Sequence, residues 1–221
     1  MKRLGSLVLG LVASSAFAQV QPFHANLGLS TQVFSARGYD LVDLDDHFHS
    51  FRFGVGTTFE LRAWRLDLEA GVTTGGNDVT SHVQLATGLG LVGLDVSATA
   101  RFPVTAWFHP YVRVGAGYDW ATLSVTSAAS RLSQTVGVVS GQAGAGVQFT
   151  VRVTRENQRG VFLFLDLGVG GVLRPGVAFT AVGPPAPVGP QADPIGQRGG
   201  VNLGTLPLSG LTWRGMAGVR F

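Results

Sequence analysis

The chain contains no cysteine in its 221 residues. That excludes a disulfide framework, a thiolate metal site and a lipidated-cysteine anchor. Charge is scarce too: Asp, Glu, Lys and Arg make up 13% of the residues, against about 25% in an ordinary soluble domain. Long apolar runs are missing. No stretch of about 18 apolar residues follows the N-terminal segment, which excludes a transmembrane helix there. Clusters of Lys and Arg are absent as well. The formal net charge is +3, and Lys2 and Arg3 account for two of it, so the rest of the chain carries +1 (3 − 2 = 1). The basic balance therefore does not indicate a nucleic-acid binder.

What the chain does have is glycine, 32 residues of it, and 45% hydrophobic residues, with a mean hydropathy of +0.28. An apolar chain without apolar runs must spread its apolar residues by alternation. Among membrane proteins only closed β-barrels do that. The length suits one domain.

Residues 1–18 combine the basic pair Lys2-Arg3, an apolar stretch from Leu4 to Ala13 and the small-x-small site Ala16-Phe17-Ala18. This is the pattern of a secretory signal peptide, so the expected mature chain is 19–221. The destinations it leaves open are periplasm, outer membrane and medium.

Period-two alternation then predicts eight strands, near residues 25–37, 49–61, 64–73, 82–102, 111–124, 134–153, 160–173 and 211–221. Polar loops fall at 38–48, 74–81 and 126–133. A Pro/Gly-rich segment at 174–210 contains the run G-P-P-A-P-V-G-P at Gly183 to Pro190. That composition is expected to form no ladder and to be mobile. Short connections lie at Arg62-Ala63, at 103–110 and at 154–159. In 82–102 the apolar phase changes: Val83, Leu85, Leu89 and Leu91 hold one phase, Leu94, Val96, Ala98 and Phe102 the other. One long strand with a β-bulge at Val92-Gly93 explains the slip and keeps the strand count even. Two short strands with a tight turn there are the rival reading.

The last eleven residues read L-T-W-R-G-M-A-G-V-R-F. Leu211, Trp213, Gly215, Ala217, Val219 and Phe221 share one face of the strand, Arg214 and Arg220 the other. This ending resembles the terminal strand of bacterial outer-membrane β-barrels, where a final Phe acts as an assembly signal. The segment Pro110-Tyr111-Val112-Arg113-Val114-Gly115-Ala116-Gly117-Tyr118 is similar to the proline-led, glycine-rich strand of the small eight-stranded barrels that resemble the membrane domain of outer membrane protein A. The resemblance covers nearly the whole mature chain, through patterns more than identities. It implies an all-β, eight-stranded, antiparallel up-and-down transmembrane barrel in the outer membrane of a Gram-negative cell. It also implies contact with outer-membrane lipid and lipopolysaccharide, and delivery to the barrel-assembly machinery through the C-terminal strand. No peptidoglycan-binding domain follows Phe221, so that activity of larger relatives does not carry over.

The phase of the charges supports the same plan. Arg52, Glu60, Asp67, Glu69, Arg113, Asp119, Arg152, Asp166, Arg214 and Arg220 all fall on the less apolar face of their strands. A lipid-facing Arg or Lys at mid-depth would cost roughly 2–4 kcal/mol. An eight-stranded barrel has an interior that side chains fill, and unpaired charges there are strongly unfavourable. A packed lumen network is therefore expected from Arg52, Glu60, Arg65, Asp67, Glu69, Arg113, Asp119, Asp166 and Arg214. Aromatics near strand ends, namely Trp64, Trp107, Tyr111, Tyr118, Trp120, Trp213 and Phe221, are expected as interfacial girdles.

Signals for chemistry are weak. His49-Ser50 and Ser81-His82 are adjacent pairs, but neighbours in a strand point to opposite faces. Neither matches the His-x-Ser spacing of barrel lipid A deacylases. The set Asp40, Asp43, Asp45, Asp46, His47 and His49 could ligate a hard cation such as calcium, but it lacks the glycine and terminal Glu of a dedicated calcium loop and reads as a solvated acidic loop. The Gly-x-Gly patterns at Gly54, Gly88, Gly115 and Gly168 have no following helix and read as packing glycines. No cofactor, metal or nucleic acid is expected. The expected role is structural or in surface interaction, as a monomer with a closed lumen. A narrow pore or hydrophobic-solute barrel is the first alternative, a lipid A-modifying enzyme the second. A soluble secreted barrel would reverse the two faces.

Overall fold

A computed structural model describes residues 19–34, 47–80, 86–126, 131–153, 160–181 and 201–221. The expected signal peptide, Asp40 to Asp46 of the acidic loop, the Ser81-His82 pair, the charged turn 154–159 and the run Gly183 to Pro190 lie outside the described residues, whereas His47 opens a strand.

Alternation is enough to make strands here because β-branched and aromatic residues recur along the outward phase. Among the described residues ten strands form: β1 (Gln19–Phe34), β2 (His47–Glu60), β3 (Arg65–Thr80), β4 (Ala86–Arg101), β5 (Phe108–Thr126), β6 (Arg131–Arg152), β7 (Phe162–Leu173), β8 (Val177–Ala181), β9 (Val201–Leu206) and β10 (Gly210–Arg220). Eight of them close in the order β1-β10-β7-β6-β5-β4-β3-β2, and β8 and β9 form a separate two-stranded sheet. Every barrel pair is antiparallel, and the seam is made by the chain's two end strands, with Leu27 opposite Ala217 and Thr31 opposite Trp213. Closure leaves the barrel itself no unpaired edge among the described residues. The strand β10 has 11 residues. At about 3.3 Å per residue and a tilt of about 40°, that length spans roughly 25 Å, the height of a barrel's apolar band.

One end of the barrel carries short connections. Between β2 and β3, Leu61 and Trp64 exchange backbone hydrogen bonds at 2.9 and 3.3 Å around Arg62-Ala63. Between β4 and β5, the Thr105 hydroxyl accepts from the Phe108 amide at 3.0 Å, and the Thr150 amide ties this turn to β6 through the Trp107 carbonyl at 2.9 Å. The opposite end carries the two longest connections, 35–46 and 174–209.

Three expectations need correction. β4 has no bulge: its register runs unbroken from Arg65↔Arg101 to Thr80↔Ala86 against β3, and unbroken against β5. The apolar residues change face because the environment changes, not because the strand slips. Leu94 and Val96 are exposed on the outer face, whereas Leu89 and Leu91 are buried inside the barrel. Second, residues 177–181 and 201–206 do form a ladder. Its register shifts between Phe179 and Thr180, and Gly204, opposite Phe179, takes φ of +76°, a conformation that costs glycine little. Third, the polar loop expected at 74–81 is mostly strand, since β3 continues to Thr80.

The outer surface is apolar along the middle of the barrel. Leu29, Phe53, Val72, Leu94, Val114, Val139, Leu165 and Leu167 all point outward and are exposed. The inner phase carries the charges. Arg52, Asp67, Glu69, Arg101, Arg113, Asp119, Asp166 and Arg220 are all buried. This is the arrangement of a barrel immersed in lipid and inverts that of a soluble one. Among the described residues no helix is long and apolar enough to cross a membrane.

Candidate functional site

The lumen is built in layers along the barrel axis. At the short-turn rim, Arg65 pairs with Glu60 at 3.0 Å, each side chain about 30% exposed. The next layer centres on Asp67. It accepts from the Thr58 hydroxyl at 2.6 Å, pairs with Arg101 and lies 3.8 Å from Arg220. Both arginines also lie over the Phe164 ring, at 5.9 and 5.8 Å from its centroid.

The middle layer is a cluster of two arginines and two carboxylates. Arg52 pairs with Glu69 and grips Asp95 with two hydrogen bonds, at 3.0 and 2.6 Å. Arg113 reaches Glu69 at 3.3 Å and Asp95 at 3.6 Å. Glu69 also accepts from the Asn26 amide, with His24 at 3.4 Å. The forked geometry suits guanidinium to carboxylate better than ammonium would. Space for it comes from β3: a Cβ on Gly71 would collide with the Arg52 guanidinium.

Beside this cluster, the Tyr111 hydroxyl donates to Asp166 at 2.6 Å and accepts from Arg214 at 2.9 Å. Arg214 lies 3.6 Å from Asp166 and 5.3 Å from the Tyr111 ring centroid. Tyr111 is therefore not an interfacial aromatic. It is 2% exposed and shares its phase with Arg113, so nearness to a strand end was the wrong guide. Its ring fits because β6 and β7 offer glycines: side chains on Gly146 or Gly168 would strike its hydroxyl.

Above the charged layers lies a chamber of about 100 Å³, bordered by Ser50, Asp95, Arg113, Ser140, Gln142 and Arg214. Polar and apolar side chains share its lining, and it has room for several waters. Its roof is Arg174, just past β7. The Arg174 Nε donates to Asp119 at 2.7 Å, and its Nη1 donates to Gln32 at 2.8 Å and to the Leu208 carbonyl at 3.2 Å. Gln32 donates to the same carbonyl at 2.8 Å. The Arg174 backbone and the Ser209 hydroxyl exchange hydrogen bonds at 2.9 Å in each direction. One arginine thus clamps both ends of the 174–209 segment onto the barrel wall.

The long-loop mouth is filled by an apolar cap. Val177 and Phe179 of β8, Leu206 of β9 and Leu208 after it pack against Phe34, Phe48, Leu89, Leu91, Ala121, Leu123 and Val138 of the barrel wall. Phe179 and Leu208 are 0% exposed. The Thr180 amide donates to Gln134 of β6 at 2.6 Å, which fixes the hairpin laterally. The inward apolar residues of β4, β5 and β6 exist to meet this cap.

The structure thus brings Arg52, Glu69, Arg113, Asp166 and Arg214 into one interior region, with Asp67 below it and Asp119 above. Glu60 and Arg65 stand apart at the rim. Residues not anticipated in the network are Asp95, Arg101, Arg174, Arg220, Tyr111, His24 and Asn26. Asp95, Arg101 and Arg220 share the inner phase of their strands, so alternation alone could have found them. Arg174 had no signal, because it sits outside any alternating run. Of the other aromatics, Tyr118 and Trp120 meet edge-to-face at 5.1 Å. Trp107 stacks on Phe149 at 6.1 Å beside the short turns. Trp213 and Phe221 are exposed toward opposite ends of the β10 segment. Trp64 sits in the first short turn, partly buried.

An apolar belt outside, paired charges inside and a fully closed antiparallel sheet define a transmembrane β-barrel of the smallest kind. The model of the outer membrane protein β-barrel domain matches residues 4–154, more than half of the chain, and the chain belongs to that family. Its location is accordingly the bacterial outer membrane. Similar solved structures include Neisserial surface protein A, at 14% identity and a TM-score of 0.47, covering 91% of this chain and 97% of that one. The attachment invasion locus protein Ail of Yersinia pestis is 13% identical in its complex with the heparin analogue sucrose octasulfate, with a TM-score of 0.46 and coverage of 91% and 98%. The N-terminal β-barrel domain of Pseudomonas aeruginosa OprF is 16% identical, with a TM-score of 0.35 and coverage of 91% and 97%. No curated protein sequence matches the chain.

Proposed function

We propose that this protein is a structural and surface-interaction barrel with a lumen closed to solutes. The observation that carries the reading is the double closure of the interior. Below, opposite charges occupy the bore in mutual contact. Above, an apolar cap fills the mouth, its central side chains wholly buried. A conducting path would have to separate buried ion pairs and expel the cap as well, and separating such pairs is strongly unfavourable. The long-loop end then serves as the contact surface, while outer-membrane lipid and lipopolysaccharide surround the belt. The C-terminal strand is the segment that the assembly machinery would take up, and the barrel acts as a monomer.

Catalysis has little to support it. His49 is exposed and meets Thr31 at 3.0 Å, whereas Ser50 points inward to Ser30 at 2.7 Å, so the pair diverges across the sheet. Planar-bilayer recording tests the closed lumen: the expected trace is flat, and steady openings of reproducible size would overturn it. Mass spectrometry of lipid A from cells with and without the protein tests the enzyme reading, with identical spectra expected.

A further inference from the structure

A second cavity opens at the short-turn end of the barrel. It holds about 430 Å³ and shares no lining residue with the chamber above. Arg65, His109, Thr150, Phe162 and Arg220 form its wall, and Val104 of the β4–β5 turn forms part of its lip.

Unpartnered donors outnumber unpartnered acceptors around it, where the Asp67 Oδ2 alone stands against donors of Arg101, Gln148 and Arg220. Arg220 is 3% exposed, yet its Nε and Nη2 have no hydrogen-bond partner among the described residues. Its nearest carboxylate, Asp67, is 3.8 Å away and is already engaged by Arg101 and by Thr58. Gln148, opposite His109 on the β5–β6 ladder, is 0% exposed, and its amide nitrogen is also unpartnered. The Nε of Arg101 shares that condition. Among the described residues, Arg65, Arg101 and Arg220 face only Glu60 and Asp67. Buried donors without acceptors are costly, and so is an uncompensated buried charge. A tetrahedral oxyanion supplies both missing quantities, negative charge and several acceptor oxygens, in a geometry that guanidinium groups match.

The lip has a different character. Phe102, Val104 and Trp107 of the turn are 45%, 65% and 56% exposed, so an apolar edge borders the basic hollow. We propose that this cavity binds a phosphate-class oxyanion, held by Arg220 and Arg65 with Thr150 as a neutral partner. Two sources carry that chemistry. One is free phosphate, and the other is the headgroup of a phospholipid whose tails lie along the apolar lip.

The test uses the full chain, purified in a neutral sugar detergent and confirmed as folded by its heat-dependent gel mobility. It is titrated calorimetrically with inorganic phosphate and, separately, with micelle-dispersed phosphatidylglycerol, with diacylglycerol as the headgroup-free control. Saturable binding of at least one phosphate probe is expected, and none of diacylglycerol. Saturation by phosphate assigns the free anion. Saturation by phosphatidylglycerol alone assigns the headgroup. Arg65→Gln, at the part-exposed rim, should weaken binding about tenfold or more, the loss of one charged hydrogen bond. Arg220→Lys, which keeps the charge and loses the fork, should also weaken it. Arg131→Gln, exposed at the far end, should leave it unchanged. No saturable binding of either phosphate probe, or an affinity unmoved by Arg65→Gln, would overturn the proposal.

Discussion

Shortening Phe179 to alanine should unseat the cap without unfolding the barrel. Phe179 belongs to the β8–β9 hairpin, which is hydrogen-bonded only to itself as a sheet, so its packing can be lost while the closed ladder stays intact. The side chain is fully buried, and truncating a buried Phe to Ala costs about 3–5 kcal/mol. At about 1.4 kcal/mol per tenfold, the open population of the cap should rise by a factor of roughly a hundred to a few thousand. The absence of cysteine makes a clean reporter possible. Leu91 lies under the cap and is 2% exposed, so Leu91→Cys places the chain's single thiol behind it. A membrane-impermeant maleimide should label that thiol slowly in the otherwise native chain. In the Phe179→Ala background the rate should climb by the same factor, while heat-dependent gel mobility stays unchanged. Equal labelling rates in the two backgrounds would refute the view that the cap seals the lumen. So would rapid labelling of Leu91→Cys alone.

Other perturbations separate the layers. Glu69→Gln should destabilise the barrel by about 3–5 kcal/mol, because it strips counter-charge from the buried Arg52 and Arg113; urea unfolding in lipid vesicles reads this. Arg65→Gln, at the part-exposed rim, should shift the same curve by no more than about 1 kcal/mol. Tyr111→Phe removes a hydrogen bond to the Asp166 carboxyl, which Arg214 also approaches, and should cost about 1.5–3 kcal/mol; no change would return Tyr111 to a packing role. Leu165→Arg, on the exposed outer face, should cost about 2–4 kcal/mol in a bilayer. If it were neutral, that face would not be against lipid.

Much of the barrel was legible from residues in order. Eight alternating segments with long and short connections in turn specify an up-and-down sheet, because the side-chain period of a strand is two and a slip would turn every charge toward lipid. The same logic places Arg52, Glu69, Arg113, Asp166 and Arg214 inside before any fold is known. It failed where the local pattern had two causes. The phase change near Val92 looks like a bulge when only one strand is seen, and Tyr111 looks interfacial when only its position along the chain is used. In both cases the deciding fact is what stands across the lumen: the cap opposite Leu89 and Leu91, and Asp166 with Arg214 opposite Tyr111.

By itself, then, the sequence determined the class of the protein, since a charged interior on one face and lipid on the other are written into the alternation of most strands. Only the tertiary structure decided which charges meet. Glu69 lies 44 positions from Arg113 and Asp119 lies 55 from Arg174. No periodicity carries across such separations. Only closing the sheet, with β10 returning to β1, sets the register that brings those groups into contact, and only the cap explains why Phe34, Phe48, Leu89, Leu91 and Leu123 face inward at the barrel's mouth.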